Sequence, residues 1–186
     1  ARAVDPENRL LSHRNRRRLE AEEIRDTMLS VSGRLDEAMG GPNFPETLAS
    51  DYGFQENCDR RAVYVPVFRN ALPELFEVFD FANPSLVVGR RDASTVAPQA
   101  LFLMNSPFAR EQARAAARRL LEDLVISGDE ARLDLAYRRA LGRSPSEEER
   151  RIGLEFVREE SSGSPEEVWG MVFQALFASM DFRYVD

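Results

Sequence analysis

Arg60, Arg61, Tyr64, Arg69, Asn70, Asp80, Arg90 and Arg91, with Gln99 and Asn105 beyond them, form a constellation of donors and acceptors able to recognise a ligand. Guanidinium forks beside amide and phenol groups bind carboxylates, sulfates or sugar hydroxyls through paired hydrogen bonds. The same side chains also pin irregular backbone onto helices, because loop carbonyls need donors. Structural pinning is the commoner use and the expected one here. Earlier in the chain Arg18, Glu22 and Arg25 stand three or four residues apart, with Asp26 next, so each acid on a helix there would sit beside a guanidinium. Glu22, Asp26, Asp51, Glu56, Asp59 and Asp80 supply carboxylates for a glycosidic pair. Among 32 acidic residues that signal carries no specificity.

Other chemistries are excluded by count. His13 is the single histidine and Cys58 the single cysteine, so a His-rich zinc site, a C-x-x-C-H haem attachment and an intrachain disulfide are all ruled out within this chain. His13 has no nucleophile motif such as G-x-S-x-G to serve, so a catalytic role for it is not expected. Cys58 reads as a small apolar filler. All 25 basic residues are arginine, which a GC-rich coding bias or a general need for planar forks would each produce. A net charge of −7 opposes nonspecific binding to nucleic acid. Arg9, Arg14, Arg16, Arg17 and Arg18 make one local exception, expected to be a solvated or internally paired face.

The elements that must hold these groups are mainly helical. Ala21, Ile24, Met28, Val31 and Leu35 recur at helical spacing and predict an amphipathic helix over about 17–38, closed by Gly40-Gly41-Pro42, with Gly33 able to split it. Residues 1–16 read as a lead-in or linker held by Leu10 and Leu11. An irregular excursion over 42–59 follows, and Arg60 to Arg69, interrupted by Pro66, predicts one short extended segment laid against helices. Pro73 starts a short helix to Phe79. Ser94 or Thr95 is expected to cap a helix to Asn105 with Ala100, Leu101 and Met104 inward. Ser106-Pro107 starts the next, to about Val125, with Ala113, Ala117, Leu120, Leu121 and Leu124 inward. Further helices are predicted over 131–141 and, through capping boxes at Ser146/Glu149 and Ser164/Glu167, over 146–160 and from 164 onward. The last buries Val168, Met171, Val172, Ala175, Leu176 and Ser179, after which Phe182, Tyr184 and Val185 tuck back, and Trp169 is core.

The expected architecture is all-α: an irregular multi-helix domain with antiparallel helical hairpins, long loops and one short extended segment. Residues 1–186 form one domain, loop-rich and Arg-containing over 17–92 and plainly helical over 93–186. Residues 1–70 carry 11 Arg against 12 acids and the remainder 14 against 20, so the acidic surplus lies on the helical half. No apolar run is long enough to span a membrane, and a start at Ala1 reads as a processed protein or a piece of a longer one.

Several strings, taken in order, resemble one family. They are Asn15-Arg16-Arg17-Arg18-Leu19-Glu20-Ala21-Glu22, Ile24-Arg25-Asp26, Ser32-Gly33-Arg34-Leu35, Gly40-Gly41-Pro42, Arg60-Arg61-Ala62-Val63-Tyr64, Arg69-Asn70, Phe79-Asp80, Gln99-Ala100-Leu101, Asn105, and Ala136 through Arg143. Together they are similar to the planctomycete-specific secreted domain (PSD family) over nearly the whole chain. The resemblance implies a domain of unknown function at the C-terminal end of large exported proteins that carry cytochrome-c-like modules. Haem c is then implied only in an upstream module, no cofactor is expected in this chain, and location is the periplasm or cell surface. The family provides no catalytic residue to carry over.

Two functional readings follow. The first is a non-catalytic accessory or interaction domain of a larger exported cytochrome-c-like protein, partnered by that upstream module. The second is a hydrolase or lyase acting on an anionic, sulfated or uronic polysaccharide. Convergence of the arginines and Tyr64 on an open cleft beside two carboxylates favours the enzyme; guanidinium groups engaged by backbone carbonyls and internal acids count against it.

Overall fold

A computed structural model of the protein describes residues 5–12, 15–44, 47–48, 50, 54, 58–160 and 163–185. His13, Arg14, Asp51 and Glu56, which entered the expectations above, lie outside the described residues.

The chain is helical, as its periodicity predicts, and its core gathers round one late helix. That helix, α7 (Pro165–Ala178), opens on Ser164, whose hydroxyl accepts the Glu167 N–H while the Glu167 carboxylate accepts the Ser164 N–H. It buries Val168, Trp169, Val172, Phe173, Leu176 and Phe177. Met171 and Ala175 stay exposed instead of inward, lining an open groove that α7 shares with Tyr137, Ile152 and Phe156. Its main partner is α4 (Pro107–Leu121), which presents Ala109, Ala113, Ala116 and Ala117 as a row of small side chains that the large ones of α7 fill. Around the pair stand α3 (Ala97–Asn105), α5 (Asp129–Leu141) and α6 (Glu147–Glu159), the last opened by the predicted Ser146/Glu149 box. Helix α8 (Met180–Arg183) follows directly.

Helix α1 (Ala21–Ser32) packs on α4 and buries Ala21, Ile24, Met28 and Val31, with Leu35 half-buried. It is shorter than the expected 17–38 at both ends. At its start Glu23 accepts the Glu20 N–H at 2.8 Å. The preceding Arg17–Arg18 (β1) is extended and pairs antiparallel with Tyr184–Val185 (β2), Arg17 opposite Val185. At its end Gly33, at φ 78°, makes the left-handed cap, its N–H on Ser30 O and that of Arg34 on Leu29 O. Gly33 therefore terminates the helix, and Gly40-Gly41-Pro42 lie in the loop beyond.

Other expectations are corrected. The ladder is β1–β2, and Arg60 to Arg69 holds a 3₁₀ turn at Ala62–Tyr64 with isolated bridges Asp36 to Arg60 and Phe68 to Ala71. Leu10 and Leu11 are exposed; Asp5 organises the lead-in by accepting from the Arg9 and Leu10 amides. In α3 the buried face is Gln99, Phe102 and Leu103, while Leu101 and Met104 are exposed. The α3 cap position is Val96, since Ser94 is engaged elsewhere. Leu124 lies past the end of α4, fully exposed. A short α2 (Glu74–Val78) completes the set, with Pro73 as its cap residue.

A Cβ on Gly33 would meet Arg119 Cδ at 2.9 Å in addition to the left-handed strain. Gly33→Ala is therefore expected to lower the unfolding free energy by about 1–2 kcal/mol, read from the shift in urea midpoint at constant slope.

Candidate functional site

The polar residues form three separate clusters, two of which tie a loop to α1 or to the strand just before it. In the first, Arg18 leaves β1 and is almost fully buried, its side chain 7% exposed. Its Nη1 donates to Asp80 Oδ2 at 2.6 Å and to Ser94 O at 2.5 Å, and its Nη2 donates to Phe79 O at 3.1 Å. Asp80 holds φ 58°, a conformation that Asp tolerates better than most side chains. It also accepts the Ser94 amide and hydroxyl, each at 2.9 Å. Gln99, wholly buried, donates to Val78 O at 3.2 Å and to Ser94 Oγ at 3.2 Å. Burial pushes the Asp80 carboxyl up, but the Ser94 groups and Arg18 outweigh it and hold the carboxyl below its ordinary value. Arg91 and Arg90 border the same hollow of about 420 Å³. The Arg91 guanidinium donates to Glu20 and Glu22, each at 2.8 Å, and stacks 4.6 Å from the Phe81 ring centroid; Arg90 is exposed.

The second cluster fastens the loop after α1. Arg25 is buried on α1 and donates to Arg60 O at 2.6 Å and Cys58 O at 2.5 Å. Asp26 beside it accepts the Ala62 N–H at 2.8 Å, which starts the 3₁₀ turn. Arg60 then donates to Ala38 O at 3.0 Å and Gly40 O at 2.5 Å while lying 4.2 Å over the Tyr64 ring, whose hydroxyl accepts the Gly40 N–H. The expected ladder of Arg18, Glu22 and Arg25 along one helix does not form, because each finds its partner across the fold: Asp80, Arg91 and the loop carbonyls respectively.

The third arrangement joins α5, α6 and α8. Arg143, just past the Gly142 cap, forks onto Glu149 at 2.7 and 2.8 Å and reaches Asp181 at 2.6 Å; Arg16 meets the same Asp181 at 3.2 Å. Glu149 is pulled down to about 2, first by Arg143 and then by the Ser146 cap. Sequence reasoning found the capping box but not this second use of its glutamate. The signal available was an arginine directly after the helix-ending glycine.

The remaining predicted residues stay apart. Arg69 and Asn70 are exposed, and Asn105 donates back to Leu101 O at 2.9 Å. Glu22, Asp26 and Arg61 do share an open groove of about 790 Å³ along α1 with Thr27 and Arg139. There burial pushes the Asp26 carboxyl up, against the Ala62 N–H and Arg25 that lower it. Tyr64 and the other named arginines lie outside that groove. In the basic run Arg16 pairs with Asp181, Arg17 with Glu23 and Arg18 with Asp80, while Arg9 is exposed. Among the described residues no cluster of His, Cys, Asp and Glu suits a metal ion, and no helix is long and apolar enough to cross a membrane.

A family model described as PSD1, protein of unknown function (DUF1553), matches residues 1–157. No curated protein and no solved structure matches the chain. The matched residues end within α6, whereas the core helix α7 follows them.

Asp80→Asn keeps a side chain suited to positive φ but leaves Arg18 buried without a counter-charge, so a loss of about 2–4 kcal/mol in urea unfolding is expected. Stability should also fall as pH drops from the ordinary glutamate value of 4.5 toward about 2, since Glu149 takes up its proton more readily unfolded than folded. Arg143→Met should flatten that acid limb in a series of melts.

Proposed function

We propose, for a chain that belongs to the PSD1 family of proteins of unknown function, a role as a non-catalytic accessory domain that contacts another module of a larger exported, cytochrome-c-like protein. The supporting observation is the use made of the guanidinium groups. Arg18, Arg25, Arg60 and Arg91 are engaged by Ser94, Phe79, Cys58, Ala38 and Gly40 carbonyls and by Asp80, Glu20 and Glu22. Such groups hold loops and are not open to a substrate. The exported setting and the haem-bearing neighbour come from the resemblance to secreted planctomycete domains, and haem c belongs to that neighbour.

The alternative, a hydrolase or lyase on an anionic polysaccharide, has one observation in its favour. Asp26, with its raised carboxyl, shares the α1 groove with Glu22 and Arg61. Against it, both Asp26 oxygens face the Ala62 N–H at 2.8 and 3.0 Å, and Glu22 is held by Arg91. A general acid in this groove would have to break the 3₁₀ turn to act.

The two readings separate in one pair of measurements. Titrating the chain with the cytochrome-c-like module of its parent protein should give saturable binding, followed by calorimetry. Incubation with sulfated and uronic polysaccharides should release no new reducing ends or unsaturated products. Product formation that disappears in Asp26→Asn would reverse the assignment, and absence of binding to the haem module would remove the partner.

A further inference from the structure

One face of α4 packs on the core through alanines, and the opposite side carries a different pattern. Within Pro107–Leu121 four arginines stand against a single glutamate, in a chain whose net charge is −7. Arg110, Arg114 and Arg118 recur every four residues, so successive guanidinium stems rise by about 6 Å along one edge of the helix. They line an open groove of about 880 Å³ whose far wall is Ser32, Gly33 and Arg34 at the end of α1, with Glu111 and Glu122 as the two acids in its lining.

The groove differs from the clusters described above in what its arginines do. Arg119 donates to Ser30 O and Val31 O, and Arg34 is paired with Glu111 and Asp59, so those two build the walls. Arg118 meets Glu166 at 3.0 Å with both side chains well exposed, a pair worth little in water. The Arg110 and Arg114 side chains are exposed and make no hydrogen bond or ion pair among the described residues; the Arg114 stem lies beside Gly170 of α7, and its charge adds to the Ser164 cap in holding the nearby Glu167 carboxyl down. Two open forks in line with a third, weakly held one, make a row of donors for an anion that repeats along a chain.

We propose that this groove binds a sulfated or uronic polysaccharide laid along Arg110, Arg114 and Arg118. Its lining selects that class of polymer over others. No aromatic ring lines it, so bases of a single-stranded nucleic acid would find nothing to stack on. Its apolar lining is little more than Pro107 and Ala115, which offers no pocket for the anchors of an amphipathic helix. The positive field is local, and a duplex lying across the groove would also meet the acidic remainder of the surface within about 8–10 Å, the screening length near physiological salt. A slender glycan needs only the groove. The site uses none of the residues on which the accessory-domain reading rests, so either can fail alone.

The test is calorimetry of the whole 186-residue chain at low salt with four probes: chondroitin sulfate oligosaccharides, polygalacturonate oligomers, sodium sulfate and single-stranded DNA. At least one glycan should bind saturably and weaken as salt rises, and which glycan binds tells sulfate from carboxylate. The double substitution Arg110→Ala and Arg114→Ala suits helix formation and should weaken binding about tenfold while lowering the salt slope by about two. The corresponding glutamine pair, which keeps more of the stem, should lose as much. Arg158→Ala, an exposed change on α6, should leave binding intact. The proposal is overturned if neither glycan binds, if both double variants bind like the parent, or if DNA binds as tightly as the better glycan. It is also overturned if inorganic sulfate alone accounts for the binding.

Discussion

Loop carbonyls without a ladder are the constraint on which the first half of this fold depends. Between α1 and α3 the described backbone has only short helical pieces and isolated bridges, so its carbonyls must find donors on side chains. Arg25 and Arg60 supply them in sequence. The first fixes Cys58 and Arg60 to α1, and the second carries the loop on to Ala38 and Gly40. Arg18 does the same for Phe79 and Ser94 from β1, and β1 itself is held by the far end of the chain through Tyr184–Val185. Loss of one fork would therefore release a loop rather than a single contact.

A shared geometry explains why these positions suit arginine. Each of the three binds two or three acceptors in different directions at once, which a single ammonium could match in charge but not in planar reach. That need does not explain the whole basic set. Arg69, Arg90 and Arg158 are exposed and are arginine as well, so the complete absence of lysine has a cause outside the fold, of which coding bias is the simplest. Burial adds a second consequence. Arg25 is 5% exposed and its nearest carboxylate oxygen, on Asp26, is 3.4 Å away, so carbonyl dipoles carry much of its compensation.

Local signals in the sequence were readable and distant ones were not. The boxes at Ser146/Glu149 and Ser164/Glu167 lie within three residues, and both helices begin where those residues say. Apolar spacing located the buried face of α1 through Ile24, Met28 and Val31. It failed for α3 because a polar residue, Gln99, belongs to the buried face; its amide serves Val78 O and Ser94, and a rule that turns apolar residues inward put Leu101 and Met104 there instead. The start of α1 was lost for a similar reason. Arg17 and Arg18 read as a continuation of the helix, and only pairing with residues near the C-terminus makes them extended. Of the polar constellation, the residue types spoke for pinning, but the partners Ser94, Phe79 and Arg91 could not be assigned, since each lies tens of residues from the side chain it meets.

Helix α4 joins these two themes. On the side facing α7 it has given up side-chain volume, with Ala109, Ala113, Ala116 and Ala117 admitting Phe173 and Phe177 close to its backbone. Such a seam fixes the rotation of α4 about its axis, because turning it would drive arginines into the core. The orientation of Arg110, Arg114 and Arg118 toward the groove by α1 is thus set from behind, by packing. Arg119 locks the same groove from its end by donating to the last carbonyls of α1, where the left-handed turn at Gly33 leaves room for its stem. The arginines that close loops are fixed by their own hydrogen bonds, whereas Arg110 and Arg114 owe their position to the packing of α4, and Arg118 adds only an exposed pair with Glu166.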